Sequence, residues 1–135
     1  MHGVKLGILL LAFIVSLDIQ AAPSQQAVAL AGEWRGDSVC QVRPSACNDE
    51  KALYRVATVE GKPDRLAITF AKVVDGRTVV MGTIDDCHYD SASGAIRCEY
   101  SRGVWLLQAK DNKMEGTLTL PDKTVLRRVT LEKQP

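Results

Sequence analysis

Apolar residues recur at every second position from residue 33 onward, and this alternation constrains the fold more than any other feature. Leu66, Ile68 and Phe70, for example, alternate with alanine and threonine. A period of two places successive side chains on opposite faces of a β-strand, and no stretch keeps the i, i+3, i+4, i+7 spacing of an amphipathic helix for long. The sequence therefore predicts an all-β protein, with one short helical turn in residues 24–31 before the first strand.

Turn residues divide the alternation into eight short strands. Asp75-Gly76 is a strong hairpin signal, because glycine accepts the positive φ that a type I′ turn requires. The predicted strands span residues 33–42, 51–60, 64–74, 77–88, 95–102, 103–110, 113–120 and 124–132. Short connections favour antiparallel pairing of sequential strands, and closure into an eight-stranded antiparallel up-and-down barrel, lipocalin-like in form, would hide the sheet edges. A β-sandwich is the alternative.

The first 21 residues have the layout of a secretory signal peptide. Lys5 and the amino terminus supply a positive region, and the apolar run from 6 to 17 is shorter than the ~20 residues of a membrane-spanning helix. Small residues follow at Ala21 and Ala22. Cleavage is expected after Ala21, and a later cut after Ala31 is the alternative.

This prediction sets the organisation of the rest of the chain. Removal of 21 residues from 135 leaves 114, enough for one domain, with an N-terminal arm at 22–32 and a β-barrel domain at 33–135. No cysteine lies near the cleavage sites, so we expect an exported protein, periplasmic or secreted, without a lipid anchor or a membrane span. The removed segment holds one basic and one acidic residue, so the net charge stays at +1. Such a balance predicts no nucleic-acid partner.

Four cysteines in an exported chain predict disulfide bonds. Cys87 and Cys98 are equidistant from Ala92-Ser93, so a hairpin turning there places them directly opposite each other. Cys40 and Cys47 would close the first loop. We therefore expect the pairs Cys40–Cys47 and Cys87–Cys98.

The run TIDDCHYD suggests a metal site as an alternative interpretation of this segment. In a regular strand Asp86, His88 and Asp90 share one face, while Asp85, Cys87 and Tyr89 share the other. A solvated outer face beside a disulfide hairpin is the preferred interpretation, because a cation there would lie close to Arg97. No metal and no cofactor is predicted.

A catalytic interpretation depends on two short motifs. Gly36-Asp37-Ser38 and Asp85-x-x-His88 resemble the G-D-S and D-x-x-H blocks of a hydrolase family, which implies Ser38 as nucleophile and His88 as base. That family folds as a three-layer α/β domain, for which this chain lacks the helices. Arg35-Gly36-Asp37 spells an integrin-binding tripeptide but falls inside a predicted strand. We predict that the protein is not an enzyme.

A short turn running into Gly32-Glu33-Trp34 resembles the start of lipocalins and the wider calycin group. The resemblance implies that Trp34 closes one end of an eight-stranded barrel and that an arginine of the last strand packs across it. Arg127 fits this role better than Arg128, because it is in phase with the inward Val129. The spacing W-x-G-x-S-x-C is also similar to small exported bacterial β-barrel proteins of uncharacterised activity, which implies fold and export alone.

Two classes of function remain. An eight-stranded barrel can hold a small apolar molecule at its mouth, and Trp105, Tyr54 and Tyr100 are the side chains expected to contribute. The alternative is a protein-binding module, such as an inhibitor of a secreted hydrolase. Aromatic residues make up only 5% of the chain, so its own valine, leucine and isoleucine side chains could fill the barrel. A cavity of roughly 300 Å³ or more would favour a ligand.

Overall fold

Eight antiparallel strands form a closed β-barrel in the computed structural model, which describes residues 3, 12–19 and 21–135. The elements are α1 (Gln25–Leu30), β1 (Gly32–Cys40), β2 (Glu50–Val59), β3 (Lys62–Val74), β4 (Arg77–Asp90), β5 (Ala95–Tyr100), β6 (Gly103–Lys110), β7 (Lys113–Thr119) and β8 (Val125–Lys133). The predicted barrel is thereby confirmed, and the sandwich alternative is wrong. Most of the predicted signal peptide (residues 1, 2, 4–11 and 20) lies outside the described residues.

The strand bounds differ from the predicted ones by two residues or fewer, because turn chemistry sets them. Asp75 and Gly76 join β3 to β4 with φ angles of 50° and 76°, the positive pair that a type I′ hairpin needs.

Within the described residues, no helix has the length and apolar character needed to cross a membrane.

Strand β4 carries two β-bulges against β3. The register shifts by one residue between the pairs Ala71↔Val80 and Phe70↔Gly82, and by another between Ile68↔Ile84 and Leu66↔Cys87. Each bulge adds an unpaired residue and bends the strand. The second bulge exposes both Asp85 and Asp86, so the expectation that Asp85 shares a face with buried Cys87 is wrong.

The barrel closes unequally around its circumference. Strands β1 and β8 are joined by seven residue pairs, and Gly36 lets them approach closely, because a Cβ there would lie 1.9 Å from the Thr130 carbonyl oxygen. Strands β4 and β5 share only three pairs, from His88 to Asp90. The sequence led us to expect that barrel closure would hide every sheet edge. The short pairing of β4 with β5 leaves one edge partly unpaired.

Trp34 lies at the end of the barrel that α1 covers. Its side chain is fully buried, and its indole Nε1 donates a hydrogen bond to the Leu30 carbonyl oxygen at 2.9 Å. Ala27 and Leu30 of α1 are buried as well. The predicted helical turn in residues 24–31 is confirmed, and these two residues pack the N-terminal arm against the core.

The half of the barrel beneath α1 is filled by its own side chains. Fully buried aliphatic residues from four strands meet there beside Trp34. They are Leu66, Ile68, Ile96, Met114 and Leu131. The inward phase of β8 continues from Leu131 through Val129 to Arg127, which leads to the opposite end of the barrel.

Candidate functional site: a cavity at the barrel mouth

A cavity of about 530 Å³ opens at the end of the barrel opposite Trp34. This volume exceeds the ~300 Å³ at which small-molecule sites begin. Its wall is mostly apolar, with a few polar and charged groups towards the rim. The lining residues include Tyr54, Phe70, Ile84, Trp105, Leu118, Leu120 and Leu126, together with Ser38, Glu50, Tyr100, Arg102 and Arg127.

Three aromatic rings form the deep wall of the cavity. The rings of Phe70 and Trp105 are stacked, with centroids 5.1 Å apart and an angle of 14° between their planes. Tyr54 meets both rings edge-on, at centroid distances of 4.8 Å to Phe70 and 5.8 Å to Trp105. Such offset-stacked and edge-to-face pairs hold aromatic side chains in fixed positions, which makes this wall a preformed apolar surface.

Neighbouring strands bring the three rings together. Tyr54 of β2 is the register partner of Phe70 of β3, and side chains directly opposite each other share one face of the sheet. Trp105 of β6 pairs with Cys98 of β5 and Leu118 of β7, both of which are buried. All three rings are 5% exposed or less, because the inward phase of each strand continues into the core.

Arg127 forms the polar side of the cavity. Its guanidinium donates to the Asn48 carbonyl oxygen at 2.9 Å, to the Ser38 hydroxyl at 3.3 Å and to Glu50 Oε1 at 3.3 Å. The side chains of Arg127 and Glu50 are only 14% and 16% exposed. Lys72 Nζ lies 3.3 Å from the same Glu50 oxygen, so two cations share one carboxylate.

The predicted contact between Arg127 and Trp34 is wrong. In the ladder between β1 and β8, Arg127 lies opposite Cys40, whereas Trp34 lies opposite Lys133. Trp34 and Cys40 are six positions apart on one strand, about 20 Å at 3.3 Å per residue. The inward phase predicted for Arg127 is nevertheless right, since Arg128 is exposed. Arg127 therefore belongs to the mouth, and Lys133 is the basic residue beside the closed end, where its Nζ donates to the Ala29 carbonyl oxygen at 2.5 Å.

The loop between β1 and β2 fixes the position of Arg127. The predicted disulfide Cys40–Cys47 is present and closes this loop at its base. Asp49 Oδ1 accepts a hydrogen bond from the Cys40 amide at 2.9 Å, and Gln41 N donates to the Leu126 carbonyl oxygen at 2.8 Å. Because Asn48 in this loop supplies the carbonyl that holds Arg127, the disulfide and the polar wall of the cavity are linked.

Burial changes the acidity of the two tyrosines of the cavity. It raises the pKa of the Tyr54 hydroxyl above its usual value, and the neighbouring Arg127 offsets only part of this increase. Burial also raises the pKa of Tyr100, against the opposing charges of Arg102 and Arg127. Both phenols are therefore neutral hydrogen-bonding groups at physiological pH.

The structure brings together the three side chains that the sequence proposed for binding. Tyr54 and Trp105 form the deep wall, and Tyr100, 38% exposed, lies at the rim. The sequence reasoning missed Phe70 and Glu50. Phe70 could have been found from its phase with Leu66 and Ile68, whereas Glu50 precedes the predicted second strand and gave no signal.

The run that suggested a metal site is a disulfide-linked hairpin. Cys87 and Cys98 are bonded with their Cα atoms 4.4 Å apart, a separation typical of a non-hydrogen-bonded antiparallel pair. Asp86, His88 and Asp90 are exposed on the outer face. Arg65 Nε lies 2.9 Å from Asp86 Oδ1, and Arg65 also contacts His88 Nδ1. No group of three histidine, cysteine or acidic residues arranged for a metal ion occurs in the part of the chain that the structure describes.

The two residues of the hydrolase interpretation are not brought together. Ser38 is buried inside the barrel, where its hydroxyl accepts a hydrogen bond from Arg127. His88 is exposed on the outer face, beside Arg65 of β3 and Arg97 of β5. A serine nucleophile needs its base within hydrogen-bonding distance, and this arrangement does not provide one.

Comparison with known proteins adds no relative. No protein-family model matches the sequence, and no curated protein matches it either.

Proposed function

We propose that this protein is an exported, non-catalytic binding module that holds a small apolar molecule in the mouth cavity. The observation that carries the proposal is the cavity of about 530 Å³, walled by the stacked rings of Phe70 and Trp105 and by Tyr54. Sites for small molecules are concave, mostly apolar and preformed, with a few polar groups that fix orientation. In this cavity Arg102, Arg127 and the Tyr100 hydroxyl supply those groups.

Export and the relation to small calycin-like bacterial barrels belong to the same proposal. Two disulfides support an oxidising compartment, the periplasm or the extracellular space. The signal-peptide layout of the first 21 residues supports it independently.

The two tryptophans allow a direct test of the site. One lies at each end of the barrel, so Trp34→Phe leaves Trp105 as the only indole and Trp105→Phe leaves Trp34. The probe is N-phenyl-1-naphthylamine, a small neutral aromatic molecule that fluoresces in apolar surroundings. We expect probe fluorescence to rise on binding to the wild type and to the Trp34→Phe variant, because Trp34 does not line the cavity, and to rise less with the Trp105→Phe variant, which alters one of the stacked rings of the wall.

Gly82 offers a way to fill the cavity without disturbing the core. It lines the cavity and lies directly opposite inward-facing Phe70, and a Cβ added there meets no atom within 4 Å. Gly82→Phe should therefore occupy the cavity and weaken probe binding at least tenfold, whereas Gly82→Ala should bind like the wild type. Failure of the wild type to bind the probe, or unchanged binding by Gly82→Phe, would contradict the proposal.

A further inference from the structure

The charges that line the mouth cavity do not balance. Among the described residues of its wall, Glu50 is the one acidic residue, whereas Arg102 and Arg127 are both basic. Glu50 is moreover shared, because its Oε1 lies 3.3 Å from Arg127 Nη2 and 3.3 Å from Lys72 Nζ. Two cations therefore already match the single negative charge, and Arg102 adds a further positive charge at the cavity.

Arg102 is the arginine of this pair that the chain itself does not hold. It lies in the tight turn between β5 and β6, its side chain is exposed, and no acidic side chain of the described residues forms an ion pair with it. The positive charges of Arg102 and Arg127 both oppose the rise in pKa that burial gives Tyr100, so both guanidinium groups lie near this hydroxyl. Arg102 and the Tyr100 hydroxyl are thus available to a ligand at the rim.

An arginine at the rim of an apolar cavity suits an anionic group on the ligand. A guanidinium presents its N–H donors in a plane that matches a carboxylate, and such charge-assisted hydrogen bonds are stronger than neutral ones. Arg127 is less suited to this role, because its guanidinium already donates to the Asn48 carbonyl oxygen and to Glu50. The rim therefore favours one anionic group at Arg102.

The apolar part of the ligand has to be short. Leu66, Ile68 and Met114 are fully buried and help to fill the half of the barrel beneath α1, so a long chain that entered along the barrel axis would meet them. The three aromatic rings of the deep wall border the space that remains. Aromatic rings attract one another by more than their buried area provides, so this space suits a compact ring system better than a flexible chain.

We propose that the mouth cavity selects compact aromatic acids, with the ring system against the aromatic wall and the carboxylate at Arg102 and the Tyr100 hydroxyl. This inference rests on the proposed function, since it assigns the ligand class of the same cavity. Such a ligand is apolar apart from its one anionic group. Arg102 is then the residue that determines specificity for charge.

The test is displacement of N-phenyl-1-naphthylamine by two competitors, naphthalene-2-carboxylate and naphthalene-2-carboxamide. The two share size and shape and differ in charge. For the wild type, the carboxylate should have a dissociation constant about fivefold lower than the amide, the effect of one charged contact at an exposed site. Arg102→Gln should bring the two constants within about twofold of each other, whereas Arg102→Lys, which keeps the charge, should retain most of the preference.

The quantity compared is the ratio of the two constants within each variant, so any change of cavity shape that affects both naphthalenes cancels. Arg128→Gln is the matched control, because Arg128 follows Arg127 on β8 but is exposed and does not line the cavity. Its ratio should equal that of the wild type.

Two results would overturn the inference. One is a wild type from which the amide displaces the probe as well as the carboxylate does, and the other is a preference that Arg102→Gln leaves unchanged. Either result, obtained with a probe that binds, removes the ligand class and leaves the proposed binding function intact. A wild type that does not bind the probe at all contradicts both.

Discussion

The two halves of the barrel are built from the same alternating strands, yet one is filled and the other is open. Around Trp34, the helix α1 covers the end and fully buried side chains occupy the interior. Around Trp105, no helix of the described residues covers the end, and the aromatic rings stack against each other and border a cavity of about 530 Å³. The comparison shows that strand number alone does not set the free volume of a small barrel. The covering element and the arrangement of the largest side chains set it.

The largest expected effect contrasts the two tryptophans. Trp34→Ala should lower the free energy of unfolding by about 3–5 kcal/mol, because it leaves a closed void and removes the hydrogen bond to Leu30. Trp105→Ala should cost less, about 2 kcal/mol, since the lost volume joins a cavity that is already open. Urea unfolding monitored by circular dichroism measures both values. Equal losses would mean that the two halves do not differ energetically.

The two disulfides provide a second contrast. Replacing Cys87 and Cys98 by alanine should lower the free energy of unfolding by about 3 kcal/mol, because the bond joins two residues that are eleven positions apart in the sequence. The bond also lies at the junction of β4 and β5, which share only three residue pairs. Replacing Cys40 and Cys47 should cost about 2 kcal/mol and also weaken probe binding, since that loop positions Arg127. If the variant without Cys40 and Cys47 bound the probe as tightly as the wild type, the disulfide-closed loop would not be needed for the binding site.

Alkaline pH tests the boundary between the halves, where Tyr54 is buried. Its pKa is raised in the folded protein, so its stabilising contribution is complete below the unfolded value of about 10 and is lost as the pH rises beyond it. The slope from this group should approach about 1.4 kcal/mol per pH unit. Tyr54→Phe should lower that slope in unfolding measured from pH 9 to 12, and an unchanged slope would contradict burial of a neutral phenol.

His88→Ala should have the smallest effect, because the residue lies outside both halves of the interior. Its side chain is 56% exposed, and exposed substitutions usually change stability by less than about 0.5 kcal/mol. Thermal unfolding with and without added zinc provides the measurement. A zinc-dependent rise in melting temperature that His88→Ala abolishes would support the metal site instead.

Much of the fold could be predicted from the sequence, because strands and hairpins depend on local signals. The alternation and the turn at Asp75-Gly76 placed all eight strands, and symmetry about Ala92-Ser93 placed the bond between Cys87 and Cys98. The bulges of β4 could not be predicted. They depend on which residues of β3 lie opposite, and alternation within one strand does not contain that register.

The candidate site was predicted only in part. Tyr54, Tyr100 and Trp105 were selected because they are large, and the structure places all three at the cavity. The predicted contact of Arg127 with Trp34 was wrong. It came from the resemblance to lipocalins, whereas the register between β8 and β1 decides which residues lie near Arg127. The cavity itself depends on three rings from three different strands, a tertiary arrangement that composition does not reveal.

The second bulge of β4 has a consequence for changes in chain length. Ile84 and Cys87 both face inward, with Asp85 and Asp86 between them. A regular strand would place the next inward side chain after Ile84 at position 86, one residue earlier. Deleting either aspartate would therefore give an unbroken ladder in which Ile84 and Cys87 still face inward. A one-residue deletion in a regularly paired part of β4, away from its two bulges, would invert every side chain beyond it. A variant of this chain that lacks one of the two aspartates should accordingly keep both the core and the disulfide.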